Sequence, residues 1–306
     1  MYWLAVIGLP IQLYACLRAR LAVRATSLMT AWYWAVFAIF VWCATVIASN
    51  NTSGMLDHLG YAAVICLLAP AIAVLGARRP GVGAWSGFVV LPMLVVMQWP
   101  SVSQAFTGSL SDAFELPVPV MLGCGLVLIM GLGNYFGTRF TLPVMLIAAG
   151  IGCILSSLVQ ADTRRSPDVD RMIHVASVIF SCASLQLIAR MPAAREKPAS
   201  DNPEDTLTRL NIVWDDFQQL FGIVWAKRVM DRMNQFSTRE KWPITLQLTG
   251  FEPSAPDSNP EIASATIDRI RWVMRRFVDP EWLDARLGNQ NHKSAADLGS
   301  AEKMER

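Results

Sequence analysis

Charge is scarce in this chain. Only 16% of its 306 residues are Asp, Glu, Lys or Arg, against about 25% in an ordinary soluble domain. The shortage is local: sixteen charged residues fall within positions 1–190 and thirty-four within the last 116. A net charge of +2, with no basic run of five or more, points away from a nucleic-acid partner.

Paired cysteines are also missing. Cys16, Cys43, Cys66, Cys124, Cys153 and Cys182 each fall in a different apolar stretch, and no CxxC occurs. Metal ligands and disulfides favour close spacing or exposed loops, so these thiols are expected to be small packing residues. Catalytic signatures are lacking too: no HExxH, no GxSxG and no paired carboxylates inside an apolar run. The stretch "RRPGVG" has neither a preceding strand pattern nor a Gly-Lys-Ser/Thr ending, which removes a phosphate-binding loop. An enzyme, and any cofactor of its own, is therefore not expected.

What is present is long and oily. A hydrocarbon layer about 30 Å thick takes about 20 apolar residues as a helix. Seven stretches qualify or nearly do: 2–17, 28–48, 59–77, 84–99, 117–136, 141–159 and 172–189. The first and fourth are short, and Tyr2, Trp3, Trp85 and Trp99 near their ends suit the headgroup level. The expected fold class is an all-α polytopic membrane protein of about seven transmembrane helices, with a small α/β module at its C-terminal end. The domain organisation follows: a membrane domain over 1–190, a linker over 191–203, a polar module over 204–287 and a disordered tail over 288–306.

Arginine and lysine in short loops favour the cytoplasmic side. The loops after runs one, three, five and seven carry Arg18, Arg20, Arg24, Arg78, Arg79, Arg139, Arg190, Arg195 and Lys197. The alternate loops carry only Arg164, Arg165 and Arg171. This predicts an external N-terminus and a cytoplasmic C-terminus in a cell membrane, a bacterial inner membrane on the simplest reading. A six-span variant with run one lying in the interface remains open. "LYAC" (13–16) is a poor lipoprotein cleavage site, because no cation precedes the apolar run. "NNTS" (50–53) offers glycosylation acceptors on the outer side in a host that uses them.

The cores of the runs hold no charged residue. Charge in lipid is costly and marks ion paths, so a proton-coupled carrier or voltage sensor is not expected, while a passive pore or flippase-like role is left open. Ser177, Ser181 and Ser184 share one helical face, and Gly133 and Gly137 form a GxxxG. Both patterns predict close helix packing. Pro10, Pro70, Pro92 and Pro143 predict kinks. Asp57 and His58 close the first outer loop, and Asp170 and His174 open the last span. Were those loops to meet, two imidazoles and two carboxylates would offer a divalent metal site.

Beyond the linker, a helix is predicted over 204–237. Its apolar arc carries Leu210, Val213, Trp214, Phe217, Leu220, Phe221, Val224 and Trp225, with Asp215, Asp216 and Gln219 opposite and Gly222 as a break point. "PITLQLTG" (243–250) alternates as a half-buried strand, and 251–260 reads as loop. A second helix over 261–278 gathers Ile267, Ile270, Val273, Met274 and Phe277, and "DPEW" opens a short third one. A lone strand needs a partner, which suggests association through residues 204–287 with a protein or a second copy. Trp272, among Arg271, Arg275 and Arg276, suggests either a solvated face or contact with anionic lipid or an acidic partner. Two functions follow: an accessory or scaffold component whose module binds a partner, or a transporter or permease subunit without its own nucleotide site.

Overall fold

The computed structural model describes residues 1–50, 55–79, 81–107, 114, 116–159, 169–191, 203–242, 244–253 and 260–287. Residues 192–202 of the predicted linker, the tail, "NNTS" from 51 on, Pro80, Arg164, Arg165, Arg195 and Lys197 lie outside them. The chain forms two compact units. The first is Met1–Ala193 together with Gln219–Val224, and the second is the remainder.

The first unit is helical. Its elements are α1 (Tyr2–Val23), α2 (Met29–Ala48), α3 (Leu56–Leu75), α4 (Val82–Trp85), α5 (Leu91–Thr107), α6 (Val118–Gly133), α7 (Thr141–Val159) and α8 (Val169–Arg190). A π-turn over Ser86–Val90 joins α4 to α5, so the two make one apolar rod, Val82–Phe106. Among the described residues six helices are long and apolar enough to cross a membrane: α1, α2, α3, the α4–α5 rod, α7 and α8. The fifth run is shorter than expected, at 16 residues in α6, or about 24 Å. It stops because the chain turns at Asn134, whose side chain is engaged elsewhere. The first run is longer than expected and carries Arg18 and Arg20 inside the helix.

Helix α3 is the centre. It packs on α2, α5, α6, α7 and α8, and its Tyr61, Val64, Ile65 and Leu68 are fully buried. The surrounding helices turn large apolar side chains outward: Leu4 and Ile7 from α1, Phe40 from α2, Val96 from α5, Leu122 and Ile129 from α6. An outer surface of this kind is unfavourable in water and natural against hydrocarbon. The chain is a membrane-embedded helical protein.

The "GARRP" turn is short for a local reason. The last carbonyls of a helix have no partner within it. Here the Trp85 indole donates to Ile72 O at 3.0 Å, while Ser27 Oγ donates to Ala77 O at 2.8 Å. The chain leaving α3 is thus tied both to the rod that follows and to the turn before α2.

The second unit is built from α9 (Pro203–Glu240) apart from its Gln219–Val224 segment, β1 (Ile244–Gln247), β2 (Gly250–Pro253), α10 (Pro260–Met274) and α11 (Pro280–Leu287). Both predicted helices and the short third one are present. Leu210, Val213, Trp214, Phe217, Phe221 and Trp225 are buried, as are Ile267, Ile270, Val273, Met274 and Phe277. The Phe277 ring meets Phe217 at 5.3 Å and Trp225 at 5.1 Å between centroids.

Two expectations fail here. The strand is not alone: β1 pairs antiparallel with β2 inside the segment read as loop, in the register Leu246↔Phe251. Its other edge is closed as well, since Asn234 Oδ1 accepts from Leu246 N and Asn234 Nδ2 donates to Leu246 O, both at 2.8 Å. The orphan-strand argument for association therefore falls. Asp216 does not point away either. It is buried and receives Arg286 Nε at 2.8 Å.

Candidate functional site

The four residues considered for a metal do not assemble. His58 Nδ1 lies 2.9 Å from Ser101 Oγ of α5, and its ring meets Phe114 at 5.0 Å. His174 Nε2 lies 2.9 Å from Ser49 Oγ, beyond α2, and its ring meets Tyr2 at 5.6 Å. The two imidazoles thus have separate neighbours on separate elements, and Asp170 is exposed. Among the described residues no three His, Cys, Asp or Glu side chains come together as metal ligands. All six cysteines are free thiols.

The predicted serine face is real and has a partner the pattern did not name. Gln12, buried in α1, donates from Nε2 to Ser177 O at 3.0 Å and to Ser181 Oγ at 3.0 Å. Ser177 Oγ donates to Ala5 O at 3.1 Å. The approach is close because Gly8 faces Ser181: a Cβ there would sit 2.1 Å from Ser181 Oγ. Other polar groups of the bundle are used alike. Thr45 Oγ1 donates to Val41 O and Leu59 O, Gln98 Nε2 to Ala62 O, and the Tyr61 hydroxyl to Met97 O. Buried polar groups need such partners in an apolar surround.

The densest polar site in the first unit lies at the end of α6. Helix α9 is broken at Gly222, where φ is +78° and ψ 178°, a region essentially confined to glycine. The break leaves backbone groups without helical partners. Asn134 supplies them. Its Nδ2 donates to Phe221 O at 2.9 Å, its Oδ1 accepts from Val224 N at 2.9 Å, and its own carbonyl accepts from Ile223 N at 2.8 Å. The Tyr135 hydroxyl donates to Leu220 O at 3.1 Å, and Arg139 N donates to Gln219 Oε1 at 2.7 Å. A Cβ on Gly222 would lie 2.3 Å from Asn134 Nδ2.

The turn that presents Asn134 is itself held. Thr138 Oγ1 and Thr141 Oγ1 both donate to Tyr135 O, and Arg190 Nη1 from the end of α8 donates to Arg139 O at 2.7 Å. Burial pushes the Tyr135 phenol above its ordinary range, so it stays a neutral donor at physiological pH. The GxxxG reading is corrected here. Helix α6 ends at Gly133, and Gly137 sits in the turn at φ +81°, so the two glycines do not form a helix-packing face.

Sequence reasoning found Gly222 as a break and missed Asn134. An Asn between two apolar runs reads as any polar turn residue. Chemically this site is an amide with its donor and acceptor both in use. It holds backbone; it offers no nucleophile and no base. Neither a family model, nor a curated protein, nor a solved structure matches the chain.

Proposed function

We propose that the chain is a non-catalytic, multi-pass component of a membrane assembly. The bundle is its anchor, and the polar module of residues 203–287 is the part that meets a protein partner or a second copy. One observation carries this reading: Gln12, Ser177 and Ser181, buried polar side chains inside the bundle, bond one helix to another. A conducting path needs polar groups left for its cargo. Charge-free span cores support the same view, because a coupled transporter keeps ionisable residues there.

We take α6 as a seventh, thin span: its Val118, Leu122, Leu126, Ile129 and Met130 are exposed apolar side chains, and a bilayer thins around a short helix at modest cost. Seven spans with the arginine bias put the N-terminus outside and the C-terminal module in the cytoplasm. Purification in mild detergent with quantitative mass spectrometry tests the functional reading. A stoichiometric protein partner is expected, while proteoliposomes holding the chain alone are expected to pass no solute. Solute flux by the chain alone overturns it in favour of a transporter.

A further inference from the structure

The second unit carries a face of arginines laid on aromatic rings. Phe236 of α9 carries the Arg232 and Arg269 guanidiniums, each 4.6 Å from its centroid. The Trp272 ring of α10 meets Phe236 at 5.7 Å and carries Arg275 at 5.4 Å and Arg276 at 5.6 Å. One turn before Arg232, Arg228 lies 4.7 Å above Trp225. Ring contacts therefore join four guanidiniums, Arg232, Arg269, Arg275 and Arg276, around Phe236 and Trp272, and Arg228 lies one turn away on α9. Of these, Arg269 pairs with Glu240 at 3.2 Å. Arg228, Arg232, Arg275 and Arg276 are exposed and make no ion pair among the described residues. Two other arginines of this unit hold carboxylates away from the face, Arg271 on Asp284 and Arg286 on Asp216.

We propose that this face docks the module on anionic phospholipid headgroups. A guanidinium stacked on a ring keeps its edge N–H donors turned outward and suits phosphate geometry. Exposed guanidiniums gathered on one face repel one another, and a polyanionic surface relieves that repulsion. The lipid is favoured over an acidic protein by connectivity. Helix α8 ends at Arg190 and α9 begins at Pro203, so twelve residues, at most about 43 Å when extended, tie the module to a membrane span. A tether of that length holds the patch at high effective concentration near a bilayer surface. Aromatic rings beside basic residues are also the composition of interfacial helices. The inference does not depend on which side of the membrane the module occupies.

Arginine footprinting of the full chain in lipid nanodiscs tests it, with phenylglyoxal as reagent and mass spectrometry as readout. In discs containing about 30 mol% phosphatidylglycerol, Arg228, Arg232, Arg275 and Arg276 are expected to react about threefold or more slowly than in phosphatidylcholine discs. The difference should vanish at about 0.5 M NaCl. Arg286, held by Asp216, should react alike in both and reports an intact fold. In the R275Q/R276Q variant the protection of Arg228 and Arg232 should weaken. Equal rates in the two disc types overturn the proposal. So does slowing that inorganic phosphate alone reproduces in neutral discs, or that a polyglutamate peptide gives and phosphatidylglycerol does not; the latter would assign the face to an acidic protein.

Discussion

Gly222 and Asn134 make a pair in which each residue is intelligible only through the other. Glycine is required at 222 twice over, by a backbone angle other residues avoid and by the amide 2.3 Å from where a Cβ would stand. Asparagine is required at 134 because donor and acceptor must both be offered. Asn134→Ala removes the bonds that the amide makes to Phe221 O and Val224 N, at about 1–3 kcal/mol for each buried group left unsatisfied. The amide of Val224 is then expected to exchange its hydrogen at least about tenfold faster, since about 1.4 kcal/mol is a factor of ten. Asn134→Asp keeps the acceptor and loses the donor, so it should protect Val224 while releasing Phe221 O. Hydrogen exchange resolved to residues 220–226 separates the two variants, and unchanged exchange in Asn134→Ala would refute the latch. Only half of this was legible in the sequence. A glycine in a long amphipathic helix announces a break, but Asn134 lies 87 residues from Phe221, and no local periodicity spans that distance. Ser177 and Ser181 were legible because both lie on one helix at i and i+4. Gln12, on another helix, was not.

Elements show the same division between local and non-local information. Strand β1 was readable from strict alternation. Strand β2 was not, because Gly250, Pro253 and the proline-rich residues after it read as loop, and four paired residues are too few to alternate clearly. What makes so small a hairpin stable is its clamping by α9. Asn211 Oδ1 accepts from Phe251 N at 2.7 Å, Trp214 Nε1 donates to Leu248 O at 3.3 Å, and Asn234 takes both backbone groups of Leu246. A two-stranded hairpin alone is marginal in water, and an open edge invites pairing with another chain. Asn234→Leu fills the space and leaves Leu246 N and O unpaired. It is expected to cost about 2 kcal/mol and to speed amide exchange at Leu246 while the Asp216–Arg286 pair and α11 stay intact. It should also raise the concentration-dependent self-association of the detergent-solubilised chain. Wild-type-like exchange at Leu246 would mean that the clamp contributes nothing to closing the edge.

The whole molecule divides as its charge does, into an oily part and a polar part, and that division needed no structure to be seen. The number of spans is a harder matter, because a 16-residue helix is long enough for a thin bilayer and short for an average one. Helix α6 decides the parity. With it crossing, the segments before Pro117 and after Gly137 face opposite sides; without it, they share one. Its outward Leu122, Leu126 and Ile129 are suited to lipid along its length, and a peripheral helix would keep a polar face toward water. An alkaline phosphatase insertion at Leu116 is therefore expected to be active, and one at Phe136 inactive. A fluorescent protein fused after Arg306 should fluoresce in the cytoplasm. Phosphatase activity at both insertions would leave α6 on one surface and reduce the protein to six spans. The arginine bias would then conflict at one end or the other, since Arg18, Arg20 and Arg24 would no longer share a side with Arg190.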